Sequence, residues 1–292
     1  MKITGTTEIY GILGHPVKHT LSPILHNAAF QALGLDGCYL AFDVKPNDLE
    51  KGLRGLAALG VKGFNVTIPH KETVITFLDK VAPEAALIGA VNTVVIQQGR
   101  LVGHNTDGLG FVRAFCEETG VSLKGKRVML LGAGGAARAI AFQLAKEGVK
   151  SISIINRTLP RARTLVRDLG KKFTKVDWMA RALSPQVWSL IFRHPILHRV
   201  DVIINATSIG MHPNDPSIVP RSFLNEHQAV CDIIYQPTKT RLLSEAEAAG
   251  AKTMNGVGML LHQGVLAFEL WTGKKPPSAL MRDALESYLH PR

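Results

Sequence analysis

One stretch constrains this chain more than any other: Arg127-Val-Met-Leu-Leu131, followed by Gly132-Ala-Gly134-Gly135-Ala-Ala137. The β-branched and leucine run reads as a strand, and the residues after the glycines ("GAGGAARAIAFQLAKEG") read as a helix. Strand, glycine turn and helix in that order are the context a dinucleotide-binding fingerprint requires. The first glycine permits the tight turn. The second lets a pyrophosphate approach the backbone, and a small third residue, here Ala137, allows close helix–strand packing. The helix N-terminus then offers free N–H groups and positive potential to phosphates. Gly132, Ala133, Gly134, Gly135 and Ala136 are therefore candidate cofactor residues, against the plainer reading of a glycine-rich turn.

The next strand, Ser151–Ile155, ends at "INRTLPRAR". An NAD-binding chain usually places Asp or Glu here, about twenty residues on, for the ribose 2′-hydroxyl. This chain has Asn156 and Arg157, with Arg161 four residues later. A carboxylate would repel a 2′-phosphate, whereas a guanidinium binds it with two parallel hydrogen bonds. The pattern predicts NADP(H); the plainer alternative is a solvated basic helix start, the reading given to Arg163 and Arg167.

Strand-like and helix-like segments alternate on both sides of the fingerprint. Strands are expected at Ile9–Gly14, Tyr39–Val44, Gly63–Ile68, Arg127–Leu131, Ser151–Ile155, Asp201–Asn205, Ala229–Ile233 and Lys252–Met254. Val91–Ile96 and Leu101–His104 could pair as a hairpin across Gln98-Gly99. Ser22-Pro23 reads as an N-cap followed by proline, opening a helix to about Gly34. Further helices are expected at Asp48–Leu59, Lys71–Leu78, Glu84–Gly89 and Leu109–Glu118, and from Val257 almost to the end, with a break at Gly273–Pro277. Such alternation predicts an α/β fold with largely parallel sheets. The segment 171–199, with its run "PQVWSLIFRHPILHR", yields no assignment.

A chain of 292 residues, 46% apolar, can bury a large core and suits two domains better than one. Its net charge of +11 favours anionic partners. Aromatics make up 6% and no basic run carries interleaved aromatics, which argues against nucleic acid. Cys38, Cys116 and Cys231 are odd in number and far apart, so no disulfide framework is expected and a cytoplasmic setting is. The first residues enter a strand without a signal-peptide pattern. Val128–Ala145, the most apolar stretch, is interrupted by glycines and Arg138 and is no membrane span.

Polar clusters fall where a parallel sheet would gather them, at strand C-terminal ends: "HTLSP" (19–23), "NVTIPHK" (65–71), "AVNT" (90–93) and "NTDG" (105–108). Together with "GAGGAAR", "NRT", "INATSIGM" and "NGVGMLLHQG", they closely resemble the shikimate dehydrogenase family, in the family's order and over nearly the whole chain except about 171–200. The resemblance implies a substrate-binding domain over 1–106, a Rossmann-type NADP-binding domain over 107–254, and C-terminal helices over 255–292 that pack back on the first domain. It implies NADPH-dependent reduction of 3-dehydroshikimate to shikimate, a step in making aromatic amino acids. Carried over by motif, Lys71 and Asp107 are the catalytic pair. Thr20 and Ser22 would hold the substrate carboxylate; Thr67, Asn92 and Gln263 would hydrogen-bond the substrate, with Tyr235 nearby. Gly132–Ala136 and Asn156, Arg157, Thr158 and Arg161 would bind the adenosine and phosphate half of the cofactor. Ile233, Gly256 and Met259 would lie near the nicotinamide.

The residue chemistry fits that assignment. Hydride delivery to a ketone leaves an oxygen that needs a proton, and the reverse step needs a base. A lysine can exchange that proton or stabilise the developing charge, and a carboxylate beside it would orient it. Taken alone, a lysine is more often a solvated surface group and Asp-Gly more often a turn. Gln263 shares a helix face with Leu266, Ala267 and Leu270, so its amide needs a partner, either a ligand hydroxyl or another core group. His70 is a rival base, but adjacent side chains in extended chain point opposite ways. The pairs His15/His19 and His194/His198 have i, i+4 spacing, yet each encloses a proline and neither carries the HExxH glutamate, so no metal site is expected. Thr20 stands where the family often has serine, which keeps a broader quinate/shikimate dehydrogenase open. A non-catalytic NADP-binding sensor is a third reading, against which the retained Lys71 and Asp107 count. Assembly is left open, with a homodimer as one arrangement.

Overall fold

The structure, a computed structural model, describes residues 2–184, 187, 188 and 199–290. The chain forms two compact units, Met1–Gly110 with Leu260–Arg292 and Phe111–Met259. Both are α/β.

The first unit is built on a six-stranded sheet of β1 (Glu8–Gly14), β2 (Gly37–Asp43), β3 (Gly63–Val66), β4 (Lys80–Val81), β5 (Thr93–Gln97) and β6 (Arg100–His104), in the order β2-β1-β3-β5-β6-β4. β5 alone runs against the rest, because it pairs antiparallel with both β3 and β6. The β5–β6 hairpin turns at Gln98 and Gly99, both with positive φ (51° and 75°), the backbone that a two-residue hairpin turn demands. Helices α1 (Ser22–Ala32), α2 (Leu49–Ala58) and α3 (Pro83–Ile88) belong to this unit. Leu49, Leu53 and Leu56 of α2 share a face and pack with Leu13, Phe64, Val66 and Val94 of the sheet.

Some local expectations are corrected. Ser22 is not the cap of α1 but its first residue, because Thr20 Oγ1 accepts the Ser22 N–H at 3.3 Å and the cap position falls to Leu21. The β3 ladder stops at Val66, short of the expected Ile68, since Pro69 brings no N–H donor to continue it. Lys71–Leu78 is not an α-helix; only Thr73–Phe77 is helical, as a 3-10 segment.

The second unit carries a fully parallel sheet of β7 (Arg127–Leu131), β8 (Ser151–Asn156), β9 (Asp177–Ala182), β10 (Val202–Asn205), β11 (Ala229–Asp232) and β12 (Lys252–Met254). The order β9-β8-β7-β10-β11-β12 is the 3-2-1-4-5-6 arrangement of a dinucleotide-binding sheet, with its switch point between β7 and β10. Its helices are α4 (Asp107–Thr119, which begins in the first unit), α5 (Gly135–Lys146), α6 (Leu159–Gly170) and α7 (Arg241–Ala248). β9 occupies part of the segment that the sequence leaves unassigned, with Trp178 Nε1 donating to the Phe173 carbonyl at 3.1 Å. The His194/His198 pair, whose spacing in the sequence is weighed and set aside as a metal site, lies outside the described residues.

Helix α8 (Gly256–Thr272) starts in the second unit and continues into the first, where α9 (Ser278–Leu289) packs against α1. Among the described residues no helix is long and apolar enough to cross a membrane.

Candidate active site

The reversed direction of β5 assembles the polar clusters of the first unit. Thr93, at the start of β5, lies opposite Asn65 of β3 and His104 at the end of β6. The chain entering β5 ("AVNT") and the chains leaving β3 ("NVTIPHK") and β6 ("NTDG") therefore meet at one edge of the sheet. Backbone bonds hold them there: Val66 N–H donates to Asn92 O at 2.8 Å, Val91 N–H to Lys71 O at 2.8 Å, and Asn92 N–H to His104 O at 3.1 Å.

At this edge Lys71 Nζ donates to Asp107 Oδ2 at 2.6 Å, with the two side chains 15% and 4% exposed. Asp107 opens α4, where a carboxylate is favoured by the helix N-terminus. Its own N–H donates to Asn105 Oδ1 at 3.0 Å. Asn92 Nδ2 donates to Asp107 Oδ1 and to Thr106 Oγ1, both at 2.9 Å, and lies 3.4 Å from Gln263 Oε1. Gln263 is buried, and its Nε2 donates to the Leu260 carbonyl at 2.7 Å. Gly110 makes this approach of α8 feasible: a Cβ there would sit 2.7 Å from the Gln263 backbone nitrogen. The structure thus brings Lys71, Asp107, Asn92 and Gln263 into one cluster.

Thr20 and Ser22 follow β1, their hydroxyls 3.2 Å apart. Thr67 leaves β3 with its N–H on the Leu13 carbonyl at 2.9 Å. His70, the rival base, is 1% exposed, and its Nε2 lies 2.7 Å from the Val44 carbonyl. It is an internal strut rather than a partner for a ligand. His15 Nδ1 lies 2.6 Å from Asp43 Oδ1, and among the described residues no group of three or more His, Cys, Asp or Glu side chains could hold a metal. Sequence reasoning names Asn65, Thr93 and Thr106 only inside its polar clusters, without a role for any of them, and passes over Gly110.

In the second unit, the β7–α5 turn has the shape the fingerprint demands. Gly132 has φ 111°, and a Cβ there would lie 2.7 Å from the Ala206 carbonyl oxygen. Gly134 caps α5 in ordinary extended backbone, with open space where a Cβ would stand. Ala133 is buried, and Gly135 and Ala136 begin the helix. At the end of β8, Asn156 Nδ2 donates to the Thr158 carbonyl at 2.9 Å, shaping the turn that presents exposed Arg157. Thr158 caps α6, and exposed Arg161 lies in its first turn.

Ile233 and Tyr235 follow β11. Gly256 opens α8 against Ile233: a Cβ there would fall 2.1 Å from the Ile233 carbonyl oxygen. Met259 is buried in the same turn of helix. Asp232 anchors this region, accepting from Thr240 Oγ1 at 2.8 Å, Asn205 Nδ2 at 3.1 Å and Ile234 N–H at 3.1 Å. Burial pushes its carboxyl up to about 6 against the opposing pull of those donors.

Three family models match the chain: "Shikimate dehydrogenase substrate binding domain" over residues 12–94, "Shikimate / quinate 5-dehydrogenase" over 115–213, and "Shikimate 5'-dehydrogenase C-terminal domain" over 256–286. The chain is 48% identical to a shikimate dehydrogenase (NADP(+)) of Methanopyrus kandleri, over 99% of this chain and 98% of that protein. It matches the crystal structure of a shikimate dehydrogenase in complex with NADP+ at 43% identity and a TM-score of 0.89, covering 99% and 98% of the two chains. A Thermus thermophilus shikimate 5-dehydrogenase in complex with NADP(H) and shikimate matches at 38% identity and a TM-score of 0.82, covering 96% and 98%. With sheet order, glycine turn and polar cluster all in place, this chain belongs to the shikimate dehydrogenase family.

Proposed function

We propose that this protein catalyses the reversible NADP(H)-dependent interconversion of 3-dehydroshikimate and shikimate, a step of aromatic amino acid biosynthesis. The observation that carries the reading is the Lys71–Asp107 pair, held in a polar cluster with Asn92 and Gln263. Relatives named as NADP-dependent shikimate dehydrogenases support it over almost the full length of the chain.

The second unit fits NADP(H). Open space stands before Gly134 at the α5 N-terminus, where a pyrophosphate would meet backbone N–H groups. The end of β8 presents Asn156 and Arg157 rather than a carboxylate, which suits a 2′-phosphate; Thr158 and Arg161 flank them. Gly132, Ala133, Gly135 and Ala136 complete that half, while Ile233, Gly256 and Met259 are assigned to the nicotinamide end. When bound, NADP(H) supplies or accepts the hydride.

The chain's own residues bind, orient and move the proton. In the reducing direction the substrate carbonyl oxygen acquires charge and takes a proton from Lys71 Nζ; in the oxidising direction the hydroxyl proton returns to it. Asp107 orients Lys71 by accepting the hydrogen bond from its Nζ. Thr20 and Ser22 hold the carboxylate through their hydroxyls, and Thr67, Asn92 and Gln263 bind the ring hydroxyls. The first unit, with the C-terminal helices, is thus assigned to substrate and the second to cofactor. The cytoplasm is the proposed setting and a homodimer the proposed assembly, the latter to be checked by sedimentation. The methyl of Thr20 favours one second reading, a broader quinate/shikimate specificity.

Steady-state assay of shikimate and quinate with NADP and with NAD tests the activity and the second reading. Shikimate with NADP is expected to give the highest kcat/KM, and no turnover with that pair would sink the reading.

A further inference from the structure

Behind the Lys71–Asp107 pair, buried side chains form a continuous hydrogen-bond chain. Tyr39 O–H donates to Asn65 Oδ1 at 2.7 Å. Asn65 Nδ2 donates to Thr93 Oγ1 at 3.1 Å, which leaves the Thr93 proton for Asn92 Oδ1 at 3.1 Å or Thr106 Oγ1 at 3.3 Å. Asn92 Nδ2 donates to Asp107 Oδ1, and the other carboxylate oxygen takes Lys71. Tyr39, Asn65, Thr93, Asn92 and Asp107 are each no more than 4% exposed.

Backbone groups lock both amides. Asn65 Nδ2 also donates to the Asn92 carbonyl at 3.1 Å, so a flipped Asn65 would set oxygen against oxygen. Asn92 Oδ1 also accepts the Thr106 N–H at 2.8 Å, so a flipped Asn92 would set N–H against N–H and its oxygen against Asp107. The orientation of both amides is therefore imposed by the fold, and the chain ends in a donor aimed at the carboxylate that orients Lys71. Tyr39 is itself fixed by ring stacking on His26, centroids 4.3 Å apart.

We propose that Thr93, Asn65 and Tyr39 are positioning residues for the reaction: they hold the Asn92 amide, and through it Asp107 and Lys71, in register with the substrate oxygen. The inference rests on the functional reading above. None of the three needs to touch substrate. Their effect follows from geometry, since a small displacement of a proton-transfer group is costly in rate.

The test is steady-state kinetics with shikimate and NADP on the full chain carrying Thr93→Val, Thr93→Ser or Tyr39→Phe. Thr93→Val is expected to lower kcat about 10-fold, the effect of one lost buried hydrogen bond. It should leave KM for NADP unchanged and displace the pH profile of kcat. Thr93→Ser restores both, and Tyr39→Phe shows a smaller loss of the same kind. A Thr93→Val protein with wild-type kcat and pH profile overturns the proposal, as does a deficit that serine leaves uncorrected. Should Thr93→Val fail to fold by circular dichroism, Tyr39→Phe decides, and wild-type kcat and pH profile in that variant overturn the proposal. Absence of turnover in the wild type would overturn the functional reading and this inference together. Wild-type turnover with unaffected variants overturns this inference alone.

Discussion

Lys71 Nζ and Asp107 Oδ2 lie 2.6 Å apart, although thirty-six positions separate the two residues in the chain. Neither local pattern creates that contact. It exists because β5 runs backwards between β3 and β6, so that the chain segments after β3 and β6 and the one before β5 share an edge. The pair is nearly dry, and removing one partner leaves the other charge buried and uncompensated.

Lys71→Ala is therefore expected to lower kcat by about 10²- to 10⁴-fold, the range for losing a positioned acid/base, with a much smaller rise in KM. Steady-state kinetics with shikimate and NADP check it. An unchanged kcat would remove Lys71 from the chemistry.

Arg157 is exposed at the end of β8, beyond Asn156 and where no carboxylate stands. Arg157→Ala should weaken NADP binding by roughly 10- to 100-fold, the strength of a charge-assisted hydrogen-bonded pair, while leaving NAD nearly unaffected. Fluorescence titration with each cofactor measures both. Equal losses would exclude a contact with the 2′-phosphate.

The two glycines of the β7–α5 turn should separate folding from binding. Gly132→Ala forces a side chain into positive φ and against the Ala206 carbonyl, so it is expected to lower stability by about 1–3 kcal/mol. Gly134→Ala meets no protein atom within 4 Å and keeps ordinary backbone, so stability should change by less than about 0.5 kcal/mol. Its methyl group would still stand where the pyrophosphate approaches, and NADP affinity should fall. Urea unfolding and NADP titration of both variants decide it; a stable Gly132→Ala protein would contradict the argument.

His26 predicts an acid limit to stability. Its ring is fully buried, neither nitrogen has a hydrogen-bond partner among the described residues, and it stacks on Tyr39. Burial pushes it down to about 3, against a weaker opposing contribution from the neighbouring Asn65 side chain. Below its ordinary value near 6.5 the unfolded chain takes up a proton that the folded chain refuses. Stability contributed by neutral His26 is thus complete above that value and is lost as pH falls from it towards about 3. From pH 7.5 to pH 5 the loss is about 2 kcal/mol, at roughly 1.4 kcal/mol per unit. Urea unfolding at both pH values should show this loss in the wild type and its absence in His26→Phe. Identical slopes in the two proteins would refute the assignment.

Much of the molecule is legible in its order of residues. Alternating strand and helix patterns, the glycine turn after β7 and the missing carboxylate after β8 are local, because turns and helix starts depend on neighbouring residues. So is the β5–β6 hairpin, announced by Gln98-Gly99. β9 and α7 are illegible for the opposite reason. β9 is an edge strand of partly exposed residues without apolar alternation, and α7 is eight residues long, so neither carries enough pattern to stand out.

The amino-acid order alone dictates the α/β architecture, the fingerprint and the residue types available for anion and proton chemistry. Three-dimensional packing settles which of two adjacent basic residues is turned to which use. His70 is spent on the Val44 carbonyl, while Lys71 faces Asp107. Packing also makes Asn65 and Thr93, unremarkable as letters, the buried route to that carboxylate. Hydrogen bonds between side chains on different strands depend on register and strand direction, and those are settled by how whole sheets pack rather than by any short run of residues.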